Sequence, residues 1–191
     1  MATMEIAMTD SHGGNLRQLT DADGSSTGPD FSPDGNHIVF NRFYRDTGES
    51  KIIKINVKTG EETELMKGEK LSGFKPKFSP DGKNIAFLGA QKGSRKNDIY
   101  MMSVEGEDLT KVYQGDVGVG MLDWTGDSQS IVFTGSIGDN NSMLYRLDLS
   151  SHKSHKLNVN DDDHVFFVSI SRDGKSILFD AGDWGTNFFV Y

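Results

Sequence analysis

A chain of 191 residues that is 35% hydrophobic and carries a net charge of −8 is long enough to bury one core. Its acidic balance argues against a nucleic-acid partner, whose phosphates call for clustered Lys and Arg. No stretch has the ~20 apolar residues that a helix needs to cross a bilayer, and the lack of cysteine excludes disulfides and thiolate metal sites.

The first segment, Met1–Asp10, has neither the basic nor the apolar region of a signal peptide, so none is expected. Met4–Met8 and Leu16–Thr20 read as two strands. A repeat then takes over. Four segments align without gaps, beginning at Phe31, Phe78, Trp124 and Ile170, at spacings of 47, 46 and 46 residues. The first reads Phe31-Ser-Pro-Asp-Gly-Asn-His-Ile-Val-Phe40. In the third, Gly126 replaces proline and Ser128 replaces glycine; in the fourth, Arg172 replaces proline.

Ser-Pro-Asp-Gly is tight-turn chemistry, with proline presetting φ and glycine supplying the left-handed position. It joins a strand ending at Phe31, Phe78, Trp124 or Ile170 to one through Ile38–Phe40, Ile85–Phe87, Ile131–Phe133 or Ile177–Phe179. Val39, Ala86, Val132 and Leu178 make these second strands apolar on both faces, as central strands between stacked sheets. Third strands are expected at Ile52–Val57, Ile99–Val104, Met143–Leu149 and Asn187–Tyr191. More polar fourth strands follow at Glu62–Met66, Leu109–Tyr113 and Ser154–Val159. Four antiparallel strands per unit describe a propeller blade. The predicted fold is an all-β propeller of four blades of about 46 residues, near 21–67, 68–114, 115–160 and 161–191, the last completed by 1–20.

These segments resemble the repeats of the TolB-like β-propeller family, relatives of the WD repeat, and Leu19-Thr20 resembles the end of such a unit. The resemblance implies the fold more than any one function. If it extends to location, the chain works in the periplasm or elsewhere outside the cytoplasm. The ends allow two arrangements. Either the N-terminal strands close a small ring, or the chain is a segment of a larger propeller, whose open flanks would favour homo-oligomers.

In such blades the short, uniform turns share one face. Asp34, Asp81, Asp127 and Asp173 sit there and read as turn caps. The variable loops share the other face, where binding usually lives. Tyr44, Arg45, Arg95 and Trp184 are the candidate partner-binding residues, because exposed Tyr, Trp and Arg anchor interfaces. Asp21, Asp23, Asp161 and Asp163 are weak candidates for a hard cation, since they lack the full spacing of a calcium loop. His12, His37, His152, His155 and His164 do not assemble a zinc set.

Gly174-Lys175-Ser176 lacks the earlier glycine of a phosphate loop, and Thr134–Gly138 falls short of a nucleophile elbow. Asn140-Asn-Ser142 fits a glycosylation sequon, which matters only in a eukaryotic secretory setting. The expectation is therefore a non-enzyme with no cofactor: an interaction module for a protein or peptide, without nucleic-acid binding or membrane insertion. The alternative is an accessory or carbohydrate- or metal-binding propeller of a larger hydrolase or lyase.

Overall fold

A computed structural model describes residues 3–94, 96–113, 115–136, 142–157, 164–171, 173–183 and 186–190, with backbone alone at 183 and 186–190. All the regular structure described is β. Strands β1 (Ala7–Met8) and β2 (Arg17–Gln18) form a short pair. Three four-stranded antiparallel sheets follow in sequence order. The first contains β3 (Ser25–Phe31), β4 (His37–Tyr44), β5 (Glu49–Asn56) and β6 (Glu62–Glu64). The second contains β7 (Leu71–Phe78), β8 (Asn84–Gln91), β9 (Asp98–Ser103) and β10 (Thr110–Tyr113). The third contains β11 (Gly118–Trp124), β12 (Ser130–Ser136), β13 (Met143–Asp148) and β14 (Lys153–Lys156). A three-stranded sheet of β15 (His164–Ile170), β16 (Ile177–Asp183) and β17 (Thr186–Val190) ends the series. This is the blade series of a β-propeller, and the sheets do not close into a ring.

The turns hold because their side chains bond their own backbone. The Ser32 hydroxyl donates to Asp34 Oδ1 at 2.6 Å, and the same carboxylate oxygen accepts the Asn36 N–H at 3.0 Å. Ser79 with Asp81, Thr125 with Asp127 and Ser171 with Asp173 repeat the first bond. Ser128 adopts the left-handed φ of 59° where the other copies have glycine, so the turn survives the substitution.

Blades stack by alternation. On each second strand one face turns to the preceding blade and the other to the next. Val39 and Ile52 of the first blade meet Phe78, Ile85, Phe87 and Tyr100 of the second. Ala86 and Leu88 on the opposite face meet Trp124, Ile131 and Phe133 of the third. Val132 and Leu144 meet Val165, Val168 and Ala181 of the fourth. Phe87 and Phe133 are fully buried in this way, and at about 25 cal/mol per Å2 such rings dominate the core.

The N-terminal pair packs on the first blade, where Ile6 and Leu19 join Ile38, Phe40, Ile53 and Ile55. It lies in a sheet separate from β15–β17. The fourth blade departs from the expected central-strand burial. Ile177 is 37% and Leu178 56% exposed; Leu178 lies on the face away from the third blade, beyond which no described residue packs. Among the described residues no helix is long and apolar enough to cross a membrane, which says nothing about strands.

Candidate functional site

First strands of successive blades touch one another, so they line the inner wall. The β3–β4 and β7–β8 turns share a groove with the β9–β10 turn, which puts the uniform turns on one face. The β4–β5 and β8–β9 loops and the β6–β7 connection meet on the other face.

There they enclose a cleft of about 510 Å3, lined by Thr47, Glu49, Lys70, Leu71, Phe74 and Lys92 among others. A neighbouring cavity of about 610 Å3 runs along the inner wall past Thr27, Asn41, Phe43, Arg45 and Phe74. Phe74 lines both, making a single apolar hinge between cleft and inner wall. Phe43 lies one residue before the end of β4, beyond the interblade core, and is 38% exposed. The mouth thus combines aromatic rings with Arg45, Lys70 and Lys92 on a chain that is acidic overall.

A bulge sets the inner wall. The β7–β8 register shifts between Phe74 and Lys77, where Pro76 needs no ladder partner. Within the bulge Lys75 takes a left-handed φ of 49°, and its N–H donates to Asn41 Oδ1 at 3.2 Å. Gly28, at φ 63°, holds the aligned place in the first blade.

The expected site residues are distributed unevenly. Arg45 lines the inner cavity. Tyr44, half-buried, lies next to it in sequence but leans on Arg42 as a hydrogen-bond partner. Arg42 itself is buried and donates through both terminal nitrogens to the Glu62 carboxylate at 2.7 Å, and through Nε to the Ser26 hydroxyl at 3.1 Å. The hydrogen-bonded Glu62 raises its pKa against the opposing effect of burial. This arginine is structural. Asp21 and Asp23 are exposed, in the connection between β2 and β3. Among the described residues no three His, Asp or Glu side chains gather as a metal site. Arg95, Trp184, Asp161 and Asp163 lie outside the described residues.

The turn aspartates are caps by geometry. Asp34 is held down to about 2 by the Ser32 hydroxyl first, then by the Asn36 backbone and side chain. Sequence reasoning missed Phe43 and Phe74. Phe43 adjoins Tyr44 in the sequence but carries no polar group to mark it as a recognition residue. Phe74 could not be placed by alternation, because the bulge resets which face each residue of β7 presents.

Over residues 1–190 the chain matches the family described as the TolB beta propeller domain. No curated protein matches. Among solved structures it is similar to TolB from Acinetobacter baumannii, with a TM-score of 0.79 and 22% identity, over 97% of this chain and 45% of that one. An oligogalacturonate lyase in complex with manganese gives 0.71 and 16% identity, over 94% and 54%. A puromycin-hydrolyzing peptidase from Mycobacterium tuberculosis gives 0.68 and 18%, over 91% and 27%. At these identities the likenesses show the fold, and the chain spans about half or less of each structure's length.

Proposed function

The chain belongs to the TolB β-propeller family, and from that premise we propose that it is a non-catalytic interaction module binding a protein or peptide on its variable-loop face. The observation that carries this reading is Phe74, which joins the loop cleft to the inner-wall cavity with Phe43, Arg45, Lys70 and Lys92 around it. Aromatic rings and long cations are the groups that anchor peptide segments, and a frame of packed blades holds them in place before binding, so little ordering entropy is lost. A random-peptide phage library selected on the immobilised chain tests it. Enriched peptides should lose at least tenfold in affinity against Phe43→Ser and Lys92→Glu, two exposed positions. Equal binding to both variants, or no enrichment, would overturn the reading.

A second reading is a carbohydrate- or metal-binding propeller of an enzyme. Its support is the likeness to the manganese-bound oligogalacturonate lyase. A thermal shift with millimolar manganese, removed by EDTA, favours this second reading; an unmoved melting curve favours the first.

A further inference from the structure

We infer that Lys75 is a carboxylate-recognition point on the inner wall, taking an acidic side chain or a chain-terminal carboxylate of the bound partner. The inference rests on the interaction-module reading and deepens it.

The first observation is the pairing of the lysines. Lys51, Lys54, Lys77, Lys83 and Lys111 each reach a carboxylate within 4.0 Å. Lys75, like Lys58, Lys70 and Lys92, does not among the described residues, but it differs from them in lying within the inner-wall bulge. Its Nζ donates instead to the Gly120 carbonyl at 3.1 Å and lies 2.7 Å from Met121 Sδ. Those are a neutral acceptor and a weak one, and an ammonium has three N–H bonds to give. The residue is exposed, and partial burial of its ammonium lowers its pKa. An exposed ammonium whose only bonds go to neutral acceptors is open to an arriving carboxylate, which would form the stronger, charge-assisted bond.

The second observation is backbone strain. A lysine at φ 49° stands where the first blade has glycine. A left-handed conformation is unfavourable for a non-glycine residue, and such strain concentrates at functional positions. Three blades hold the residue: Asn41 of the first receives its N–H, the second carries its backbone, and Gly120 of the third receives its ammonium.

The third is position. Asn41, which fixes the Lys75 backbone, also lines the cavity that opens towards Phe43 and Arg45, and its Nδ2 donates to Thr27 Oγ1 at 3.1 Å. Lys75 follows Phe74, which lines that cavity, by one residue in the same strand, and its ammonium reaches on along the inner wall to the third blade.

The test uses the chain labelled with 13C at lysine Cε, with the Lys75 signal assigned by its loss in Lys75→Gly. Three small probes are titrated at millimolar concentration: N-acetylglutamic acid α-amide, N-acetylglutamine and the neutral N-acetylglutamine amide. The Lys75 signal should move saturably with one or both acids, severalfold more than that of Lys58, and not with the neutral amide. Its titration should shift to higher pH when the acid is bound. A response to the first acid alone assigns a side-chain carboxylate, and one to the second alone a terminal carboxylate. Movement no larger than that of Lys58, or equal movement with the neutral amide, would overturn the inference. Lys75→Gly, which suits the left-handed backbone, should keep the core methyl spectrum. If phage selection succeeds while Lys75 stays unmoved, only this inference falls; if Lys75 takes the acid while selection fails, the interaction-module reading falls.

Discussion

The Asp30 carboxylate accepts the backbone N–H of Phe78 at 2.9 Å, tying the first strand of one blade to the first strand of the next. Its other oxygen takes the Lys77 ammonium at 3.0 Å. Asp123 repeats the backbone bond two junctions later, accepting the Ile170 N–H at 2.9 Å. At the junction between them Lys77 occupies the aligned place, and its carbonyl accepts the Trp124 indole N–H at 3.1 Å. Each junction thus hides a polar group that the stacked aliphatic faces alone would leave unmatched.

Asp30→Ala should therefore weaken the fold. Losing a charged acceptor to a backbone N–H costs about 1–3 kcal/mol, and the 23% exposure of the Asp30 side chain moves the value towards the lower end. Urea unfolding should show an earlier midpoint, and Asp30→Asn should recover part of it. An unchanged midpoint in Asp30→Ala would mean that the junction is held by apolar packing alone.

Glu62→Ala strips the partner from an arginine whose side chain is 4% exposed. Breaking a fully buried pair costs about 3–5 kcal/mol. Glu62 keeps 31% exposure, so water can partly replace it, and a loss of about 2–3 kcal/mol is expected. Calorimetry should give a clearly lower Tm, with Glu62→Gln less affected. Equal Tm values for Glu62→Ala and the parent would show that Arg42 gains nothing from the pair.

Acid should loosen the turns within a defined window. Asp34 titrates near 2 when folded, against an ordinary 3.8, and Asp148 is likewise lowered to about 2, by Ser151 first. The folded-state value lies below the unfolded one. The stability these carboxylates add is fully present above about pH 4 and is lost as pH falls through 2. In Ser32→Ala the Asp34 carboxyl should titrate closer to 3.8, followed by 13C NMR. A titration unchanged by removing that hydroxyl would refute the assigned cause.

Ser128 tests the left-handed turn position. Its φ is 59°, while Gly35 and Gly82 sit at 71°, and its hydroxyl accepts the Asp81 N–H of the neighbouring blade at 3.1 Å. Ser128→Gly removes strain and a hydrogen bond together, so its stability should stay near the parent's. Ser128→Ala keeps the strain and loses the bond, and should unfold about 1–2 kcal/mol more easily than Ser128→Gly. The two variants unfolding alike would contradict this account.

Turn chemistry and two-residue alternation are local properties, so the amino-acid order alone determined the blade repeat, the Asp34-type caps and the two-sided burial of Ile85–Phe87. Burial of Arg42 was hidden because its partner lies 20 residues away, across the sheet. Exposure of Leu178 depends on what stacks against the fourth blade, which no pattern within the strand encodes. Above all, the bulge at Phe74–Lys77 reverses the inside–outside order of one strand. A register shift is settled by pairing with the neighbouring strand, and for that reason only the tertiary structure could bring Phe74 to the cleft and Lys75 to the inner wall.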